Sequence, residues 1–260
     1  MSIRIVTWAA VLLAVVCAPA YAAGNGPKVP SVPVAPVEQT AVPAAPATPV
    51  VVELFSSQAC TFCPQADKLF GDLIKQPNVI GLACHVDYFD VHRGALSHPF
   101  CTERQTWYEE QLHLGPNYTP QLIMQGQIDA IGYKADVVDA AMKQAHETVI
   151  APLKIESTQA DAFTLTLPAD WKVEQGTDTS LWLMLYDKPH EVKVAGGANR
   201  GQDVTYYNIV SAMKDAGTWP AGQPAMSVTP GLAAAHQGFV ALLQNKTTGK
   251  ILAAGKYETK

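Results

Sequence analysis

The chain has 260 residues, 48% of them apolar and 16% charged, with a formal net charge of −5 at pH 7. That apolar share is enough for a buried core, and a mixed, slightly acidic surface without a basic cluster argues against a nucleic-acid partner. The length suits one large or two modest domains. Met1-Ser2-Ile3-Arg4, the apolar run Ile5 to Val16 and Ala18-Pro19-Ala20-Tyr21-Ala22 have the layout of a secretory signal peptide over residues 1–22. The run is shorter than the ~20 residues of a membrane span, and no later segment is a candidate. Val16 before Cys17 is too bulky for the usual lipoprotein site. The mature chain is therefore expected to be exported, periplasmic or secreted, where disulfides persist. Cys60, Cys63, Cys84 and Cys101 then remain as an even set.

Residues 23–49 are rich in Pro, Ala and Val, with prolines at 27, 30, 33, 36, 43, 46 and 49. Such a stretch cannot pair in a ladder and is expected to be an extended, polyproline-like arm, either a disordered tail or a spacer. Val50 to Phe55 is a continuous apolar run, the pattern of a strand covered on both faces. Pro64 then opens a helix whose Leu69, Phe70, Leu73 and Ile74 share one face, ended by Gln76-Pro77-Asn78. A strand over Val79–Val86, a loop from Asp87 to Pro99 and a helix from Thr102 to Leu114 follow. Strands over Gln121–Gln125 and Ile128–Tyr133 and a helix over Ala135–Val149 complete a domain spanning residues 50–150.

Cys60-Thr61-Phe62-Cys63 lies where the first strand turns into the first helix. Two thiols at this spacing and place point to a redox dithiol, because the helix N-terminus stabilises a thiolate and the partner one turn on can resolve it. Cys60 is then the attacking group and Cys63 the resolving one. Thr61 and Phe62 add no charge to help. A static structural disulfide is the plainer alternative. A structural zinc site closes with four ligands and no second CxxC is present, while Cu(I) could use Cys60, Cys63 and His85. No metal and no cofactor is assigned.

The order strand, helix, strand, helix, strand, strand, helix (βαβαββα) with the dithiol after the first strand is that of a thioredoxin-like α/β domain. Proteins of that kind carry a cis-proline opening the third strand, and Thr119-Pro120 stands at the matching position. More narrowly, Val52-Glu53-Leu54-Phe55-Ser56-Ser57-Gln58, Cys60-x-x-Cys63-Pro64, His85-Val86-Asp87-Tyr88-Phe89-Asp90, Arg104-Gln105 and Tyr118-Thr119-Pro120-Gln121 resemble the exported bacterial family called domain of unknown function 1223. The resemblance implies a thioredoxin-like domain followed by a β-rich portion, with the substrate groove shaped by Tyr118, Thr119 and Pro120. Cys84 and Cys101 depart from the expected residue types, and their joint presence implies a structural disulfide between them.

From residue 151 to 260 the texture is all-β. Strands are expected at Leu153–Glu156, Phe163–Leu167, Leu181–Tyr186, Glu191–Val194, Val204–Val210, Phe239–Leu243 and Ile251–Ala254, several alternating as if one face were solvated. A β-sandwich is the natural architecture. Asn199-Arg200-Gly201-Gln202 lacks a phosphate-loop ending and reads as a hairpin turn. Glu53, inside an apolar strand just before the thiols, could take a proton from Cys63 if its pKa is raised, and His85 and Asp87 at a strand end could move protons. The function expected is thiol–disulfide exchange with protein thiols or disulfides and a redox partner protein. The rivals are a non-catalytic binding protein stapled by its disulfides and a copper metallochaperone.

Overall fold

The computed structural model describes residues 48–89 and 96–259; the signal peptide expected over 1–22 and nearly all of the arm over 23–49 lie outside the described residues. The first part runs β1 (Val50–Ser56), α1 (Cys63–Leu73), β2 (Val79–His85), α2 (Pro99–Leu112), β3 (Gln121–Met124), β4 (Ile128–Ile131) and α3 (Ala135–Glu147). The strands form one sheet in the order β2-β1-β3-β4, with β1 parallel to β2 and antiparallel to β3. The second helix begins at Pro99, three residues before the expected Thr102. Proline at a first helical position loses no hydrogen bond, since that N–H has no partner in the helix anyway.

The rest of the chain is β throughout: β5 (Ala151–Pro152), β6 (Lys154–Gln159), β7 (Ala162–Thr166), β8 (Thr179–Asp187), β9 (His190–Lys193), β10 (Asp203–Tyr206), β11 (Val210–Asp215), β12 (Ala225–Val228), β13 (His236–Asn245) and β14 (Ile251–Glu258). They build a five-stranded sheet, β11-β8-β13-β14-β5, a three-stranded sheet, β12-β7-β6, and the hairpin pair β10-β9. The single strand expected over Val204–Val210 is two strands in different sheets. Asn208, with φ 49°, turns the chain between them, a left-handed conformation that asparagine tolerates better than most residues. The strand over Ala225–Val228 carries no strong apolar alternation and was not expected.

Strand parity decides what packs where. Val50, Val52 and Leu54 face α1 and α3 in one core, while Val51 and Phe55 point the other way and meet Tyr108 of α2 together with Met184, Tyr186, Val240 and Leu242. The opposite face of β8 and β13, with Leu181, Leu183, Leu185, Phe239 and Leu243, packs on Phe163 and Leu165 of β7. So β1, β8 and β13 are each buried on both faces, which is why their sequences are mostly apolar and do not alternate. A solvated face, expected from the alternating strands, is confined to outer ones such as β6, exposed over most of its length. Each large side chain so buried contributes about 1.5–3 kcal/mol. Residues 50–150 and 151–260 therefore meet in a shared core, and all described residues fall in one unit. Among the described residues no helix is long and apolar enough to cross a membrane.

The free edge of β2 is covered rather than open. Ala83 pairs with Ile209 in a parallel bridge, its N–H donates to Asn208 O at 2.9 Å, and Asn208 Nδ2 donates to Gly81 O at 2.9 Å. This strap brings the 194–209 segment across the C-terminal end of β1.

Candidate functional site

Cys60 and Cys63 are bonded, with Cα atoms 5.4 Å apart. Cys60 lies in the turn ahead of α1, and its carbonyl accepts the N–H of Cys63, the first helical residue, at 3.3 Å. Cys63 is fully buried and Cys60 is 6% exposed, whereas Phe62 between them is 51% exposed. The Phe62 ring stacks on Tyr133 with centroids 4.5 Å apart. Tyr133 follows Gly132, whose N–H donates to Pro120 O at 2.9 Å, so the dithiol turn is tied to the start of β3. The Thr119–Pro120 bond there is cis. The second pair, Cys84 and Cys101, is also bonded, with Cα atoms 5.3 Å apart, and staples β2 to α2 in a buried core.

Asp67 stands one helical turn after Cys63, so the two side chains share a helix face, with Cβ atoms roughly 5–6 Å apart. It is buried; Ser56 Oγ at the end of β1 donates to its Oδ1 at 2.9 Å, and its Oδ2 has no partner. Burial pushes its pKa up to about 7, a shift that the Ser56 bond only partly offsets. Tyr206 of β10 completes this region, meeting the His85 ring edge-on at 5.0 Å. His85 is buried, its Nε2 has no partner, and burial together with His98 lowers its pKa to about 3. It therefore stays neutral at physiological pH. The backbone N–H of Asp87 donates to Thr102 Oγ1 at 3.1 Å, and that hydroxyl donates to Asp87 Oδ1, so this carboxylate ties the end of β2 to α2.

Glu53 occupies the other face of β1. Its carboxylate is held by Arg104 through Nε, and through Nη2 at 2.9 Å, and it accepts Tyr108 OH at 2.5 Å. Arg104 Nη2 also donates to Tyr108 OH at 3.0 Å, and Gln244 Nε2 donates to the same hydroxyl at 2.9 Å. Burial works against the Arg104 charge, but Glu53 overrides it and holds the guanidinium above its ordinary pKa. Burial raises the Tyr108 pKa well above its usual value. The structure thus brings Cys60, Cys63 and Asp67 together and places Glu53 in an ion pair that links β1, α2 and β13 on the far side of the sheet.

Tyr118, Thr119 and Pro120 form the loop into β3. Gln105 Nε2 donates to Tyr118 O at 2.8 Å and to Gln121 Oε1 at 2.7 Å, and Tyr118 OH donates to Asp129 Oδ1 at 2.7 Å. Asn199 reaches the site from the distant half of the chain. It is 2% exposed, and its Nδ2 donates to Cys60 O at 2.6 Å and to Gln58 O at 3.1 Å. Gly197 beside it has φ +70°, and a Cβ there would sit 2.9 Å from Ala59 Cβ, so only glycine lets the two loops approach. Asp67 was legible in principle as the fourth residue after Cys63 on an otherwise apolar face; nothing in the sequence marks Asn199. Replacing Asn199 with alanine leaves the partly buried Gln58 carbonyl without this donor and the Cys60 carbonyl with the Cys63 N–H alone, and is expected to lower stability by about 1–3 kcal/mol. Denaturant unfolding measures this, and unchanged stability would mean that the clamp is dispensable. Among the described residues no group of three or more His, Cys, Asp or Glu could hold a metal ion.

No curated protein matches the sequence. Protein AGR_C_4864 from Agrobacterium tumefaciens superimposes with a TM-score of 0.67 at 24% identity, over 84% of this chain and 98% of that one. HBP35 of Porphyromonas gingivalis superimposes with a TM-score of 0.59 at 16% identity, over 82% of this chain and 75% of that one. At these identities the likeness is one of fold alone. The model of the family described as "Protein of unknown function (DUF1223)" matches residues 51–244, the stretch that holds the dithiol, the Glu53–Arg104 pair and the clamp, and the chain belongs to that family.

Proposed function

We propose that this protein is an exported thiol–disulfide oxidoreductase acting on protein thiols, built on a thioredoxin-like domain over residues 50–150. The observation that carries the reading is the Cys60–Cys63 bond at the C-terminal end of the central parallel strand, with the buried Asp67 carboxyl, whose Oδ2 has no partner, one turn beneath Cys63. In the reduced protein the Cys60 thiolate attacks one sulfur of a substrate disulfide, forming a mixed disulfide and expelling the first substrate thiolate. Cys63 then gives its proton to Asp67, and its sulfur attacks that of Cys60. The Cys60–Cys63 bond re-forms and the second substrate thiolate leaves, so two electrons have passed to the substrate. Run backwards, the same steps oxidise a substrate dithiol. A carboxyl poised at about pKa 7 suits both directions.

Replacing Cys63 with alanine removes the resolving sulfur and should strand Cys60 in mixed disulfides with other exported proteins. Non-reducing electrophoresis of the tagged variant would reveal adducts that dithiothreitol releases and that Cys60→Ser abolishes. Titration should place the pair between ~−120 and −270 mV. A potential below ~−300 mV, with no adducts, would overturn the reading. It would instead favour a non-catalytic binding protein stapled by two disulfides, for which the burial of Cys60 speaks.

A further inference from the structure

Beside the dithiol lies an open groove of about 690 Å³, within the range of pockets that take a small ligand or a few side chains. One wall is Tyr88 and Phe89, 39% and 37% exposed, with ring centroids 5.0 Å apart. The run Ala195 to Ala198 also lines the groove and carries nothing larger than a methyl group, so that part of the lining is mostly backbone and leaves room for a bulky group. Ala59, next to Cys60, lies at the groove, and Arg200 is the charged side chain on it. Among the described residues Arg200 takes part in no ion pair. The groove also adjoins the loop into β3: Tyr88 OH donates to Gln105 Oε1 at 3.1 Å, and the same Gln105 side chain holds Tyr118 O.

We infer that this groove is a specificity pocket for the substrate segment flanking the reactive cysteine, taking a large apolar side chain between Tyr88–Phe89 and the glycine-rich wall and an acidic neighbour on Arg200. The inference rests on the oxidoreductase reading above. Exposed aromatic rings offer a large apolar side chain a broad surface to pack on. A lone cation at the rim adds preference for an anion and penalises a cation.

The full mature chain, reduced beforehand, is mixed in single turnover with peptide disulfides that carry Phe-Glu, Phe-Lys or Gly-Ser beside the cysteine. Each rate is divided by the same protein's rate with hydroxyethyl disulfide, which is too small to fill the groove. The Phe-Glu peptide should react about tenfold faster than either other peptide, equivalent to about 1.4 kcal/mol. Arg200→Glu should reverse the Glu-over-Lys preference, and Phe89→Ser should erase the advantage of Phe over Gly. Equal normalised rates for the three peptides, or preferences untouched in both variants, would overturn the pocket while leaving the redox reading in place. Failure to react with hydroxyethyl disulfide and with every peptide would overturn the redox reading and the pocket with it.

Discussion

Replacing Arg104 with methionine is expected to destabilise the protein by about 3–5 kcal/mol, one of the largest effects of any single change to a polar residue in this chain. The guanidinium and the Glu53 carboxylate are both almost wholly buried. The cost is less the lost attraction than the stranding of a carboxylate on a strand covered on both faces. Arg104 also lies over the rings of Tyr108 and Trp182, at 5.0 and 5.7 Å, so part of the loss is packing. The double variant Glu53→Gln with Arg104→Met should recover more than half of it, since no charge is then left buried. Denaturant unfolding of the three variants tests this. An additive double variant, as unstable as the two single changes together, would mean that the pair is not coupled and that the network is held by packing alone.

Replacing Asp67 with asparagine should have opposite effects on stability and on exchange. The Asp67 pKa lies at about 7 in the folded protein against an ordinary 3.8. Folding therefore favours the protonated form. The stability linked to this group is complete below about pH 4 and is lost as pH rises through about 7. Asparagine does not titrate and keeps an oxygen for Ser56. The variant should match the native protein at pH 4 and exceed it by roughly 4 kcal/mol at pH 8, read as a rise in melting temperature of several degrees. Resolution of the mixed disulfide should in turn slow by about 10²-fold at pH 7. Its pH profile should move from an inflection near 7 toward the ordinary thiol value of about 8.5. Unchanged resolution kinetics would remove Asp67 from the mechanism, and equal melting at pH 4 and pH 8 would remove it from the stability argument.

Much of the frame was legible because it follows from local pattern. The Val50–Phe55 run, apolar but for Glu53, implied a strand buried on both faces, and β1 is one. Pro64 within the first turn marked the start of α1, and the order of the first seven elements follows from where apolar periodicity changes between 2 and 3.6. The junction holding Cys60 and Cys63 could be located for the same reason. The start of α2 at Pro99 and the break of the Val204–Val210 stretch at Asn208 are set by backbone preferences that apolar patterning does not carry. The five-stranded sheet is covered on both faces because β8 and β13 pack on the first sheet as well as on β7. The face toward the first sheet depends on contacts of β1 with β8 and β13, more than 100 residues apart.

What the sequence by itself determined is the chemistry available: two thiols one helical turn apart at a strand-to-helix junction, a second pair of cysteines, and a carboxylate on the strand leading to them. Only the tertiary structure decided which groups stand beside the thiols. Alternation along β1 sends Glu53 to the face that Arg104 covers, and Ser56 to the face where Asp67 lies. A strand's period of two states that neighbours point apart, but not what lies on either side. Asn199 and the glycine wall arrive by a strap from the far half of the chain. Their place is set by the shared core between the two halves, a sum of many small burial energies that no local stretch of sequence contains.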